Sequence, residues 1–363
     1  MAVPLTRRQV LDLRAHAQQI GRPSGDPAGT AVLDLGVQDT GPDGGLWALA
    51  LRGLDTAALD GDELATAWTL RGAPHLYRRA DLPGVTAATA PFSDADAGKR
   101  IYDASKPLKA AGIGNLEALD AVADAMRSLV TAPMVKGEVS TRLTAIVPEP
   151  HLRFCRPCDA THLYEMPFRL AALRAGLELE PGTSPPVLRP VPGLTAAATV
   201  PPHLDVVRGY LRLLGPATPK LVAGYLDAPV TDVQARWPDD AAEVSVDGER
   251  RWLLAEDADR VDDVPPAAGV FLLGPFDPFL QARDRPLLVD DPARAKALWP
   301  VLGRPGAVLA DGEVAGTWRP RKAGSSLTVA VELWMPVPRE AVTAAAERLA
   351  AFRGVVLQDV HID

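Results

Sequence analysis

The chain has 363 residues, more than one hydrophobic core usually spans, so about two to four domains are expected. Apolar residues make up 47% and charged residues 23%, an ordinary globular balance. The net charge of −8 argues against an indiscriminate nucleic-acid coat but leaves room for one local basic groove. No apolar run reaches the roughly 18 residues that cross a membrane. The opening MAVPLTRRQVLDL lacks a signal peptide's apolar stretch, and two cysteines are no disulfide framework. A soluble, cytoplasmic protein is expected.

Four segments follow in chain order. In the first, 1–112, TRRQVLDLRAHAQQIG (6–21) spaces Val10, Leu13, Ala17 and Ile20 as a helical stripe, with Thr6 as N-cap and Gly21 as stop. GTAVLDLGV (29–37) and GLWALALRGL (45–54) read as two more helices. LATAWTLRGAPHLYRR (64–79) enters with helical spacing and leaves as an extended run. In the second, 113–195, helices are expected over 115–130, 135–147 and 154–177, then two short strands in 176–191.

The third segment, 200–258, repeats that order: helices over 203–215, 217–227 and 229–240, then a hairpin over 242–257 turning at Asp247-Gly248. Three helices and a hairpin is the order of a winged helix, whose second and third helices form a helix-turn-helix able to enter a DNA groove. The fourth segment, 266–363, is β-rich, turns at Asp311-Gly312 and closes with a helix over 338–354. The expected fold is α+β: tandem winged-helix domains followed by a C-terminal β-barrel-like domain.

GVQDTGPDGGLWALALRG, WTLRGAPHLYRRADLP, LLGPFDPFLQARDR and VLADGEVAGTWRPRKAG, in that order, resemble the bacterial winged-helix DNA glycosylases that act on bulky alkylated purines and unhook interstrand crosslinks. The resemblance covers most of the chain and implies the same fold. Those glycosylases carry glutamine, an aliphatic residue, then glutamine or aspartate at their catalytic position. Here Gln38 matches the first, Asp39 stands at the aliphatic place and Thr40 at the second polar one. An offset reading lets Asp39 serve as the carboxylate.

An alkylated purine is cationic and leaves as a neutral base, so catalysis needs a positioned water and stabilisation of an oxocarbenium-like sugar. A glutamine oxygen can orient that water, and an aspartate can act as base and counter-charge. Gln38, Asp39 and Thr40 are therefore the candidate catalytic residues, with Asp39 the preferred base. The alternative is that Asp39 and Thr40 cap the helix starting near Asp43.

The resemblance places residues like Arg71 and His75 beside the lesion-binding cleft. They could equally sit packed, the ring in the core and the guanidinium on carbonyls. Arg283, Arg319, Arg321 and Lys322 could track phosphates of double-stranded DNA, or be solvated loop charges. Trp47 and Trp68 are expected to fill the core. Cys155, Cys158 and His162 form a weaker alternative, a zinc site, with His151 just upstream. No cofactor is otherwise expected. The leading function is a DNA glycosylase for alkylated purines; the alternative is a non-enzymatic winged-helix DNA-binding or regulatory protein.

Overall fold

The computed structural model describes residues 3–41, 43–59 and 61–363, the side chains of Lys322 and Ala323 excepted. The chain forms two compact units. One comprises Met1–Leu59, Arg208–Leu221 and Pro238–Asp363; the other comprises Asp60–Val207 and Val222–Trp237. Among the described residues, no helix is long and apolar enough to cross a membrane.

The first unit opens on the helix Arg7–Ala17. Thr6 caps it and Gln9 reaches back to the Thr6 backbone, a capping box that satisfies donors at both positions. Strand Val3–Leu5 runs parallel to Ala241–Val246, which folds back on Glu249–Leu254. Asp247 and Gly248 both have positive φ, the backbone a two-residue hairpin turn needs.

The C-terminal part of this unit is a five-stranded sheet in simple chain order, from Val270–Leu273 to Val356–Ile362. Four strands are antiparallel neighbours, and the last runs parallel to Ser326–Leu333. A parallel return requires a crossover, and helix Arg339–Phe352 supplies it. That helix packs on both edge strands of the sheet, Val270–Leu273 and Val356–Ile362. One helix can touch both edges only if the sheet curls around it, so the sheet is an open half-barrel.

Two buried ion pairs fasten the N-terminal helices to this C-terminal part. Arg52 donates to Asp277 at 2.9 and 3.0 Å with neither side chain exposed. Arg14 donates to Asp284 at 2.7 and 3.1 Å, and Arg251 joins the same carboxylate. Breaking one partner of such a pair costs about 3–5 kcal/mol, because the other charge stays buried.

In the second unit a sheet runs Pro74–Arg78, Leu64–Trp68, Leu177–Leu179, Val187–Pro190, Met134–Val135, all pairs antiparallel. Helix Asn115–Leu129 serves two cores from one stripe. Val122, Ala123 and Met126 pack with Trp68, Val139, Phe168 and Leu188. Ala118 and Leu119 pack with Ala97, Ile101 and Leu108.

Several expected elements differ. Residues 29–37 form only a 3-10 turn, Ala31–Asp34, because Gly36 at φ +86° breaks the run before strand Val37–Gln38. Residues 64–79 are two strands around a 3-10 turn; every residue of Leu64–Trp68 is buried, which erases its alternation. The stretch 154–177 begins as a hairpin, Leu152–Cys155 paired with Ala160–Leu163, since Pro157 and the left-handed Asp159 enforce a turn; the helix is only Glu165–Arg174. The final helix does not close the chain, because strand Val356–Ile362 follows it.

Candidate active site

Gln38 ends a two-residue strand, and Asp39 and Thr40 begin the loop to helix Gly44–Ala50. Gln38 Nε2 donates to Thr40 Oγ1 at 3.2 Å. With its nitrogen committed to the threonine, the amide presents its oxygen to other donors.

Asp39 Oδ1 accepts from the Gly45 backbone N–H at 2.7 Å. The carboxylate therefore does cap the helix, from five residues before its first turn. Burial raises the Asp39 pKa above the ordinary carboxylate value, and the Gly45 N–H bond pulls part of the way back. The cap occupies one oxygen.

The loop is held from both sides. Asp43 forms a bidentate pair with Arg353, whose Nε donates to Asp43 Oδ1 at 2.6 Å. Trp47 packs on Phe352 with ring centroids 5.1 Å apart and donates to Leu272 O at 2.7 Å. Gly44 sits at φ +50°, and a Cβ there would lie 1.9 Å from Asp39 Oδ1. Glycine is needed twice over, for the left-handed turn and for room. In the sequence, Asp43 stands out only as the start of the helix and Gly44 is passed over; the Gly-Gly pair directly after an aspartate is the signal for both.

Arg71 and His75 belong to the second unit. Arg71 has φ +57° and Gly72 φ +65°, two left-handed residues in succession between the strands. The Arg71 Nη1 donates to Tyr225 O at 2.8 Å and its guanidinium lies 4.5 Å over the Tyr225 ring. His75 is fully buried. Its Nδ1 lies 2.9 Å from Ala73 O, which can only accept, so Nδ1 carries the proton. Thr69 Oγ1 lies 3.1 Å from the same nitrogen and 2.8 Å from the Tyr77 hydroxyl. Burial, then the Arg71 charge, push the His75 pKa down to about 3, so the ring stays neutral.

The basic candidates sit differently from one another. Arg319 and Arg321 are exposed at the far end of strand Glu313–Ala323, two apart and so on one face, opposite Ala330 and Thr328. The Lys322 side chain lies outside the described residues. Arg283 is half-buried, and its backbone N–H donates to the Tyr210 hydroxyl at 3.0 Å. Beside it, the buried charge of QARDRP is Asp284. Trp47 and Trp68 are both in the core, as expected.

Cys155, Cys158 and His162 do come together: one potential ligand atom from each lies within 4.8 Å of the others. His151 is not in that group. It is buried, and burial lowers its pKa.

A family model described as DNA glycosylase AlkZ-like matches residues 33–352. Among solved structures, the Streptomyces sahachiroi DNA glycosylase AlkZ is similar with a TM-score of 0.75 and 22% identity, covering 99% of this chain and 100% of that one. That likeness shows a shared fold. No curated protein sequence matches. Since the family match spans most of the chain, the protein belongs to the AlkZ-like DNA glycosylase family.

Proposed function

We propose that this protein hydrolyses the N-glycosidic bond of alkylated purines in double-stranded DNA, bulky and crosslinking adducts included. The observation that carries this reading is Asp39: one oxygen is anchored on Gly45 N–H and the carboxyl holds a raised pKa in partial burial. A base whose pKa is raised accepts a proton more readily in the transition state.

In the proposed step, a water oxygen bonds to the sugar C1′ as the C1′–N9 bond breaks. The electron pair of that bond neutralises the cationic purine. Asp39 takes the water's proton, and while ionised it faces the positive charge developing on the sugar. Gln38 orients the water through its amide oxygen while its nitrogen is bonded to Thr40. The reaction balances with water alone.

The fold reading that accompanies this is tandem winged helices. Its support is the element order. Helices Asn115–Leu129, Lys136–Thr144 and Glu165–Arg174 precede the pair Leu177–Leu179 and Val187–Pro190. Helices Val206–Leu214, Pro219–Leu226 and Val230–Gln234 precede the pair Ala241–Val246 and Glu249–Leu254. In this reading the segments are 1–112, 113–195 and 200–258, with the half-barrel from 266 onward; Arg71, Arg283, Arg319, Arg321 and Lys322 are its DNA contacts, and His75, expected beside them, is instead buried and supports the strand turn.

A second reading, a winged-helix DNA-binding protein without catalysis, draws on the same Asp39 bond, since a helix cap needs no chemistry. Base release from a duplex carrying one N7-alkylated guanine decides between them. Wild type should release the base, and Gln38→Ala and Asp39→Asn should each lower the rate at least tenfold, about 1.4 kcal/mol of barrier. Salt-sensitive duplex binding with no release by wild type would leave the second reading standing.

A further inference from the structure

The hairpin inserted between helices Lys136–Thr144 and Glu165–Arg174 has little to hold its tip. From Arg156 to Thr161 every residue is exposed, and Phe154 is 61% exposed on the strand before them. An isolated two-stranded hairpin is marginal in water. Small elements that cannot bury apolar surface are commonly stapled by a disulfide or a metal.

The residues at this tip supply a staple. Arg153 pairs with His162 and Cys155 with Ala160 in the antiparallel register, so Cys155 and His162 are diagonal neighbours on one face. The 3-10 turn Arg156–Cys158 then doubles back, and left-handed Asp159 completes the reversal. Cys158 is returned to the same place. The three ligand atoms lie within 4.8 Å of one another. Around a tetrahedral zinc, sulfur and nitrogen ligands stand about 3.4–3.8 Å apart, so closing on an ion requires only a small contraction.

His162 is oriented for the task. Its Nδ1 lies 2.7 Å from Leu163 O, so that nitrogen carries the proton and Nε2 keeps its lone pair. This is the backbone-carbonyl support typical of metal-binding histidines. Two nearby cations are compensated: Lys136 is bonded to Glu165 at 2.7 Å, and Arg153 faces Asp103 at 3.3 Å.

We propose that Cys155, Cys158 and His162 bind a soft divalent cation, zinc by ligand preference, with the fourth position open to water, and that the ion fixes the hairpin tip. This rests on the hairpin alone and not on the glycosylase reading.

The test uses the full-length protein, reduced and stripped of metal, titrated with cobalt(II) and then zinc. Wild type should develop a thiolate-to-cobalt charge-transfer band that saturates at one equivalent and is displaced by zinc. Cys158→Ser and the double variant Cys155→Ser/Cys158→Ser should lose the band, and His162→Ala should weaken binding at least tenfold. The cysteines are at the tip, so the variants' thermal melts without metal should match wild type. No charge-transfer band in wild type, or an equal band in the double variant, would overturn the proposal. A helix-to-coil loss in the variants is excluded by circular dichroism on the same samples.

Discussion

Asp39 and His75 are both driven by burial toward their neutral forms, yet they end in different regimes. Burial raises the Asp39 pKa, while the surface it keeps open and the Gly45 N–H bond on one oxygen hold the rise back, so the group can still ionise. His75 is fully enclosed, with Nδ1 engaged by Ala73 O and beside Thr69, and its pKa falls to about 3. The same desolvation tunes one group and locks the other. A partly exposed carboxylate can exchange a proton with a reactant; a sealed imidazole holds a strand turn together.

The largest effects should separate the two by observable. His75→Ala removes a packed ring and leaves the Thr69 hydroxyl without that partner, so a loss of about 2–4 kcal/mol in stability is expected from urea denaturation. Base release per folded molecule should change little. A collapse of release with an unchanged unfolding midpoint would break the comparison and move His75 to the chemistry. Asp39→Asn should do the reverse. Release should fall about a hundredfold, near 2.7 kcal/mol of barrier. The melting temperature should hold or rise, because an amide oxygen still accepts from Gly45 and a desolvated charge is gone.

The pH dependence sharpens the same contrast. The Asp39 pKa is raised in the fold, so its contribution to stability is present at low pH and is lost as pH rises through the folded value. Activity follows the opposite limb, since the base works ionised, and its acid limb should lie above the ordinary carboxylate value. His75 has a depressed pKa, so its contribution is complete above about 6.5 and is lost as pH falls toward about 3. Histidine NMR shifts should show one ring that does not titrate between those values.

Gly44→Ala probes the corner through the backbone. The added methyl would overlap Asp39 Oδ1, and the left-handed φ adds strain of about 1 kcal/mol. Release should drop roughly tenfold while duplex binding persists. An unchanged rate would mean that the Asp39 position is irrelevant to turnover.

Legibility from the sequence follows the range of the interaction. The Thr6 cap and the Asp247-Gly248 and Asp311-Gly312 turns are local, and each stands where the sequence places it. Helix Asn115–Leu129 is legible because its stripe is continuous. Strand Leu64–Trp68 is not, since burial on both faces removes the period. The partners Arg52–Asp277 and Arg14–Asp284 are separated by 225 and 270 residues, and nothing local announces them. At the corner, the residue types of Gln38, Asp39 and Thr40 were readable, but cap and base draw on the same residue types. Only the Gly45 bond shows that Asp39 does the first, and its partial burial is what the proposal for the second draws on.

The smallest expected effects lie at Arg319 and Arg321. Both are exposed and two apart on one strand face, so neither supports the core. If they meet DNA phosphates, Arg319→Ala and Arg321→Ala should each lower the slope of log binding constant against log salt by about 1, leaving stability within about 0.5 kcal/mol of wild type. The loss should be alike for damaged and undamaged duplexes, because phosphate contacts position the DNA and do not read the lesion. Asp39→Asn should leave the slope untouched. A slope unchanged in both arginine variants would remove this face from the DNA contact, and the comparison would then rest on the Asp39 corner alone.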